Sequence, residues 1–233
     1  MINQLSVFFP AYNEEKNIKK TVQAAEKVLR NLPLKDWEIL VVNDGSSDKT
    51  AEVVRNLTKE DKRIKLIDHK VNQGYGGALK TGLTNCRFDW VSFTDSDGQF
   101  DFAEIKNFLA KQEESKADLV IGYYRKRAVP FYRIWGSWLW EFLVFLFFGL
   151  KVKDIDCAFK LLSKEVVKKV SPLEAQRGPF ISSELLIKAK LSGFKIVQIP
   201  ISHFPRRAGV STGASFRVIL SGLKDLIRLK GKL

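Results

Sequence analysis

The sequence predicts an α/β domain built on a mostly parallel central sheet with helices packed against it. Short apolar runs alternate with segments in which apolar residues recur at helical spacing, and this alternation is typical of strand–helix–strand units. No Pro-, Gly- or Ser-rich linker and no repeat divides the 233 residues. One domain of this length can bury a full core, so we expect a single domain with a short C-terminal extension.

The predicted elements follow one another in a regular order. Apolar runs predict strands at residues 5–9, 37–42, 64–67, 90–94, 119–122, 158–162 and 195–201. Helical spacing predicts helices that include residues 18–29, 51–57, 77–83, 102–109 and 182–191. Ser47 or Asp48 is placed to cap the second helix, and Asp101 with Glu104 forms a capping-box pattern before the fourth.

Charge and cysteine usage limit the function classes. The net charge of +13 favours an anionic partner, which is a nucleic acid, a membrane surface or a phosphate-bearing substrate. Cys86 and Cys157 are too few for a disulfide framework and match no zinc motif. The first residues enter a strand pattern directly, without a basic segment followed by a long apolar stretch. We therefore expect no signal peptide and a cytoplasmic location.

Three acidic segments follow predicted strands, at residues 10–15, 43–48 and 95–99. Ligands of open parallel sheets bind at the carboxyl ends of the strands, so we expect these segments to form the binding site. Converging carboxylates repel one another unless a positive or hydrogen-bonding group lies between them. The sequence therefore predicts an acidic site on an otherwise basic protein.

The Asp95-x-Asp97 pair is the sharpest signal for a metal ion. Carboxylate oxygens suit hard cations such as Mg²⁺ or Mn²⁺, and Gln99 offers a neutral oxygen nearby. Such an ion would neutralise a diphosphate leaving group. The alternative is a solvated turn, because Asp, Ser and Gly are turn-forming residues.

Two further features point to a nucleotide. Asp44 ends an apolar strand and has the right chemistry to accept a hydrogen bond from a base or ribose, although helix capping is an alternative role. Residues 72–77 form a glycine-rich turn before a helix, where backbone can approach a phosphate. The turn follows the third strand and not the first, which argues against a dinucleotide-dependent oxidoreductase.

Seven motifs in order resemble glycosyltransferase family 2, and within it the branch that makes polyprenyl-phosphate sugars. They are FFPAYNEEKNI, VVNDGSSDKT, NQGYGGALKTG, TDSDGQF, DIDCAFKLL, FISSELLIKAK and HFPRRAGVSTG. The resemblance implies a GT-A fold over residues 1–213. Residues 1–122 would bind a nucleotide-sugar and residues 123–213 the acceptor.

The resemblance also implies roles for individual residues. The catalytic set would be Asp95, Asp97, Arg206 and Arg133. The nucleotide-sugar would be bound by Pro10, Tyr12, Glu14, Asp44, Gly74, Lys80, Asp95 and Ser96. The metal, Mg²⁺ or Mn²⁺, would be held by Asp95, Asp97 and Gln99. The acceptor would be bound by Arg133, Ser137, Asp154 and Arg207. Ala158 replaces a glycine of the family pattern, which reduces backbone freedom there.

The expected reaction is the inverting transfer of a hexose from a GDP-mannose or UDP-glucose type donor. A polyprenyl phosphate acceptor is already an anionic nucleophile, so it needs positioning rather than a strong general base. Guanidinium groups bind phosphate oxygens bidentately, which suits Arg133, Arg206 and Arg207 to this task. A soluble glycan or another hydroxyl acceptor is the alternative, and it would need a base such as Asp154 or Asp156.

Two apolar segments favour contact with a membrane surface. Residues 134–150 are almost continuously apolar but short for a transmembrane helix, with Glu141 near the middle and three tryptophans at the start. Residues 214–233 form a basic amphipathic helix. We expect both to lie at the inner face of the membrane. The alternatives for 134–150 are internal packing, a homodimer contact or a separate membrane-protein partner.

A basic nucleotide- or nucleic-acid-binding module without enzymatic activity is the rival from another class. Such modules interleave basic and aromatic residues along the binding surface. Here the acidic segments occupy the predicted ligand edge, and the aromatic residues cluster within 134–150. The sequence therefore predicts no nucleic-acid partner.

Overall fold

The computed structural model describes residues 2–125, 131–175, 180–205 and 216–232, without the side chains of 131–135 and 216–221. Within these residues seven strands form one sheet, and eight α-helices pack on it. The strands are β1 (Gln4–Ala11), β2 (Asp36–Asn43), β3 (Ile64–Asp68), β4 (Trp90–Phe93), β5 (Leu119–Tyr124), β6 (Lys160–Ser163) and β7 (Ile196–Ile201). The helices are α1 (Ile18–Arg30), α2 (Thr50–Glu60), α3 (Tyr75–Asn85), α4 (Ile105–Ser115), α5 (Phe131–Phe148), α6 (Lys164–Val170), α7 (Phe180–Leu191) and α8 (Phe216–Lys230).

The strand order in the sheet is β3-β2-β1-β4-β6-β5-β7. β1 runs parallel to β2 and β4, β2 runs parallel to β3, and β5 runs parallel to β7. Only β6 is antiparallel to its neighbours β4 and β5 in this sheet. The predicted α/β fold with a mostly parallel sheet is confirmed. Strands from both predicted halves share the sheet, and the division at residue 122 stays a prediction.

Neighbouring phenylalanines on β1 point into separate cores on the two faces of the sheet. Phe8 stacks on Phe93 with 5.1 Å between ring centroids, and Phe9 meets Phe102 edge-on at 6.0 Å. A β-carbon on Gly82 would lie 2.2 Å from Phe8 Cδ2, so this glycine lets α3 pack directly on the ring. The Phe8 face is covered by α3, α5, α6, α7 and α8, and the Phe9 face by α1, α2 and α4.

Helix α6 was not predicted from the sequence. Its seven residues make only two turns, which is too short for a clear helical period in the sequence. Ser163 at the end of β6 caps it, since its hydroxyl accepts a hydrogen bond from the Val166 amide at 3.4 Å.

The capping of α2 differs from the prediction. Lys49, and not Ser47 or Asp48, occupies the N-cap position, while the Asp48 side chain accepts from the Thr50 amide at 2.9 Å.

Helix α5 has a packed face and an exposed face. Val144 and Phe148 are buried, and the Trp140 indole donates to the Ser183 hydroxyl of α7 at 3.0 Å. Several large apolar side chains of the same helix are exposed: Trp138, Leu139, Phe142, Phe145 and Leu146. No helix in the described part of the chain has the length and apolar character needed to cross a membrane.

The C-terminal helix α8 packs on the end of α5. Leu226 and Leu229 are buried in the core on that side of the sheet. The Lys230 ammonium donates to the Phe147 carbonyl at 2.7 Å, which satisfies one of the carbonyls left open at a helix C-terminus. The predicted amphipathic helix is thus held against the domain by one face.

A buried carboxylate joins the strands at the end of the sheet opposite the acidic segments. Glu38 on β2 is 1% exposed and accepts hydrogen bonds from the Ser6 hydroxyl at 2.6 Å, the Arg87 amide at 2.6 Å and the Lys65 ammonium at 2.7 Å. Burial by itself would raise the pKa of Glu38, but these hydrogen bonds together outweigh burial and hold the pKa below its usual value. The carboxylate therefore stabilises the folded state in its charged form.

We predict that Glu38→Gln lowers the free energy of unfolding at pH 7 by about 1.5–3 kcal/mol, the range for hydrogen bonds to a charged group. Because the folded-state pKa is lowered, the contribution of Glu38 is present above the unfolded value of 4.5 and is lost as pH falls through the folded value. Urea unfolding at pH 7 and pH 3.5 measures this, and exposed Glu60→Gln is the control. A difference between wild type and Glu38→Gln that does not shrink at pH 3.5 would contradict the prediction.

Candidate active site

The loops that follow β1 and β2 are locked to each other by side chains. The Asn13 amide N–H donates to the Ser46 hydroxyl at 2.9 Å, and the Asn13 side-chain oxygen accepts from the Ser47 amide at 2.9 Å. Asn13 adopts a left-handed backbone with φ of 55°, a conformation that asparagine tolerates better than most residues. The Glu15 amide donates to Asp48 Oδ2 at 3.0 Å. The two loops therefore form one rigid unit.

Glu14 and Tyr12 lie in the first of these loops. Glu14 is 5% exposed, and its Oε2 accepts from the Asn17 side-chain amide at 2.7 Å. Its backbone N–H donates to Thr50 Oγ1 at 2.8 Å. Tyr12, in contrast, is 47% exposed. The loop thus presents an exposed aromatic ring beside a held carboxylate.

Asp44 organises the glycine-rich turn. Its carboxylate accepts from the Gln73 amide at 2.9 Å and the Gly74 amide at 2.8 Å, and it contacts His69 Nδ1 at 2.7 Å. Gly74 has φ of 83°, which a residue with a β-carbon rarely adopts. Asp44 is 3% exposed. The carboxylate therefore positions the turn, a role that the sequence analysis did not predict, and its contact with a nucleotide stays a prediction.

The segment after β4 is anchored on both sides. The Ser96 hydroxyl donates to the Pro10 carbonyl at 2.8 Å, which ties this segment to the loop after β1. The Gln99 backbone N–H donates to Asp97 Oδ1 at 3.0 Å, and Asp97 is 7% exposed. The Gln99 side-chain amide donates to the Phe204 carbonyl at 3.0 Å. The predicted metal-binding residues therefore lie between the loop after β1 and the segment after β7.

Tyr75 connects the glycine-rich turn to Asp95. Its phenol is hydrogen-bonded to the Asp95 carboxylate. Burial, and after it the charge of Asp95, raise the pKa of Tyr75 well above its usual value, so the phenol stays protonated and acts as the donor. This contact could not be predicted from the sequence, because a tyrosine in a glycine-rich turn has no characteristic partner.

Asp154 forms a turn between α5 and β6. The residue is 2% exposed, and its Oδ1 accepts from the amides of Asp156 and Cys157, both at 3.1 Å. Below this turn lies Lys160, which is fully buried and donates through its ammonium to the carbonyls of Ile155 and Cys157. Lys160 is a residue that the sequence analysis missed.

The predicted arginines cannot be placed in the same way. Arg206 and Arg207 lie outside the described residues, as does the side chain of Arg133. Ser137 lies near the start of α5 and is half-buried, and Lys80 lies on α3, also half-buried. The roles of these five residues stay predictions.

The oxygen-bearing side chains after β4 fit a divalent cation that takes some of its ligands from the protein and the others from a bound substrate. Among the described residues, no three His, Cys, Asp or Glu side chains gather to hold a metal by themselves. Mg²⁺ is commonly bound by one or two carboxylates together with substrate phosphates. Asp95 and Asp97 supply two carboxylates, and Gln99 supplies an amide oxygen. Such a set suits an ion that binds with a diphosphate.

Comparison with known proteins identifies relatives of this chain. The profile of Glycosyl transferase family 2 matches residues 6–171. Dolichyl-phosphate beta-glucosyltransferase ALG5A of Trichomonas vaginalis is 32% identical over 84% of this chain and 64% of its own length. Dodecaprenyl-phosphate galacturonate synthase of Rhizobium johnstonii is 26% identical over 98% of this chain and 68% of its own length. The chain spans 33% to 66% of the length of several such relatives.

Solved structures share the fold. The glucosyl-3-phosphoglycerate synthase of Mycobacterium tuberculosis, crystallised with Mn²⁺, uridine diphosphate and phosphoglyceric acid, superposes with a TM-score of 0.70. It is 21% identical, with 96% of this chain and 78% of that chain covered. At this identity the likeness shows the fold alone, and it confirms the predicted GT-A architecture. Because the family profile covers most of the chain, the chain belongs to glycosyl transferase family 2.

Proposed function

We propose that this protein moves a hexose from a nucleotide-sugar to a polyprenyl phosphate, with inversion at the anomeric carbon. The observation that carries the proposal is the convergence of the loops after β1, β2 and β4 at one edge of the sheet, with the Asp154 turn on the acceptor side. Relatives whose names contain dolichyl phosphate or dodecaprenyl phosphate favour a lipid phosphate as the acceptor. The family assignment favours a sugar nucleotide as the donor.

On the donor side, Asp95, Asp97 and Gln99 would hold Mg²⁺ or Mn²⁺. The ion would neutralise charge that develops on the diphosphate leaving group. The Tyr75 phenol orients the Asp95 carboxylate, and the Gln99 backbone N–H orients the Asp97 carboxylate. Neighbouring groups that fix metal ligands in this way also tune how well the ligands bind. The loops after β1 and β2 would hold the nucleotide through Pro10, Tyr12, Glu14 and Asp44, together with Gly74, Lys80 and Ser96.

On the acceptor side, the phosphate itself would be the nucleophile. An anionic oxygen needs orientation and shielding from the donor diphosphate, so no side chain has to remove a proton. Arg133, Arg206 and Arg207 would supply the shielding, with Ser137 and Asp154 beside them. A neutral hydroxyl acceptor would instead require a base, and the held carboxylate of Asp154 already accepts two amide hydrogen bonds.

The exposed face of α5 would contact the membrane that carries the acceptor. Trp138 is 59% exposed and Leu146 is 64% exposed, so burying this face in a lipid interface removes apolar surface from water. Tryptophan favours the boundary between water and lipid. Lys151 and Lys153 are exposed just beyond the helix and can attract anionic headgroups. We propose peripheral attachment through this face.

The first experiment tests the reaction and the metal residues together. Labelled GDP- and UDP-hexoses are offered with a short polyprenyl phosphate and Mg²⁺ or Mn²⁺, and label in the lipid phase is measured. We expect transfer by wild type and a loss of about 100-fold or more in Asp97→Asn, because charge stabilisation in the transition state is removed. Asp101→Asn is the matched control, since Asp101 caps the next turn and asparagine can also cap.

Other outcomes of this assay redirect the proposal. Donor hydrolysis without labelled lipid would contradict the lipid acceptor and favour a soluble glycan or other hydroxyl compound. Absence of turnover with every donor, together with absence of metal-dependent nucleotide binding, would contradict the transferase activity and favour the basic binding module.

The membrane contact has its own test. Wild type is expected to sediment with anionic liposomes at low salt, and Phe142→Glu with Leu146→Glu is expected to remain in the supernatant, because two charges would then have to enter the interface. Leu191→Glu is the control, since Leu191 is also half-exposed, at 51%, but belongs to α7 and not to α5. Wild type that does not sediment would contradict the proposal, as would concentration-dependent dimerisation that buries α5.

A further inference from the structure

Lys160 is a buried cation at the junction of the two sides of the site. It is the first residue of β6, where it pairs with Phe93 of β4 and Ile121 of β5. Its exposed fraction is 0%, and its ammonium lies 5.9 Å from the centroid of the Phe93 ring. Phe93 ends β4 two residues before Asp95, so the ammonium lies beneath the end of the strand that carries the metal-binding pair.

The burial of this charge has to be compensated. Moving an ammonium out of water costs several kcal/mol even in real proteins, so buried lysines are found paired and hydrogen-bonded. Burial lowers the pKa of Lys160, and the charges of Asp154, Asp156 and Asp95 oppose this. The carboxylates and the ammonium therefore stabilise one another at the base of the site.

Lys160 and Asp154 hold the same short turn through complementary backbone groups. The Asp154 carboxylate accepts from the N–H groups of Asp156 and Cys157. The Lys160 ammonium donates to the carbonyls of Ile155, at 3.2 Å, and Cys157. The N–H groups of this turn are thus held by Asp154 and its carbonyls by Lys160, and the two side chains also attract each other. Loss of the ammonium would leave two carbonyls and several carboxylates without this partner.

We propose that Lys160 is a positioning residue of the transferase site, which fixes the turn of residues 154–157 against the end of β4 through its hydrogen bonds to two carbonyls of that turn. It acts through the turn and touches neither substrate. The inference rests on the proposed function, in which this turn forms part of the acceptor side of the site. The donor side is held by other contacts, so the two sides should respond differently to a change at Lys160.

The test compares Lys160→Met with wild type in three measurements. Amide hydrogen exchange of Asp156 and Cys157 is expected to become about ten-fold faster or more, since the turn loses half of its anchors. Sugar transfer to the lipid phosphate is expected to fall by about 10–100-fold, the range for groups that orient other site residues. Metal-dependent binding of GDP or UDP, measured by calorimetry, is expected to change much less than transfer, because Tyr75 and the Gln99 backbone N–H also hold Asp95 and Asp97.

Lys164→Met is the matched control. Lys164 follows β6 directly, and its ammonium also donates to two backbone carbonyls, of Cys86 at 2.7 Å and Arg87 at 3.1 Å. These carbonyls lie at the opposite end of β4, so exchange at Asp156 and Cys157 is expected to stay unchanged. Lys160→Gln, which keeps N–H donors without the charge, is a milder second variant and is expected to show the same effects at smaller size.

Two results would overturn the inference. The first is that the amides of Asp156 and Cys157 exchange at the wild-type rate in both Lys160→Met and Lys160→Gln. The second is that these amides exchange faster while sugar transfer is unchanged. The exchange measurement needs no substrate, so it decides the structural part separately from the reaction. Failure of the proposed function itself would show in wild type, as absent transfer to the lipid phosphate.

Discussion

Parallel pairing of β1 with β2 and with β4 brings the ends of three strands to one edge of the sheet. Ala11 pairs with Asn43, and Phe8 pairs with Phe93, so the loops that follow these strands begin side by side. A shift of one residue in this register would turn Phe8 and Phe9 out of their separate cores. Hydrophobic burial therefore fixes the position of the polar loops, although none of the loop residues contributes much to that burial.

Charge at this edge is balanced by local hydrogen-bond donors. Asp44 accepts from two amides of the glycine-rich turn, and Asp154 accepts from two amides of its own turn. Tyr75 and Lys160 add a phenol and an ammonium from beneath. A protein with a net charge of +13 can therefore present a cluster of carboxylates, because each is held by hydrogen bonds whose geometry the fold fixes.

Helix α5 links the core to the surface through its two faces. Trp140 reaches α7 by a hydrogen bond, and Lys230 of α8 binds the carbonyl of Phe147 at the end of the helix. These contacts hold the helix in one orientation and leave Trp138 and Leu146 exposed together. An apolar face held rigidly in this way differs from scattered surface residues, since it can enter an interface without first being ordered.

The order and type of the elements could be predicted from the sequence, because the spacing of apolar residues is a local pattern that each strand and helix of ordinary length carries. The motifs likewise identified the family and the three acidic segments, although α6 was too short to show a period. The partners of the site residues could not be predicted. Tyr75 and Asp95, or Lys160 and the Asp154 turn, become neighbours only when the sheet forms. Hydrogen bonds and charge pairs depend on distances in space, and only the tertiary structure decided those distances.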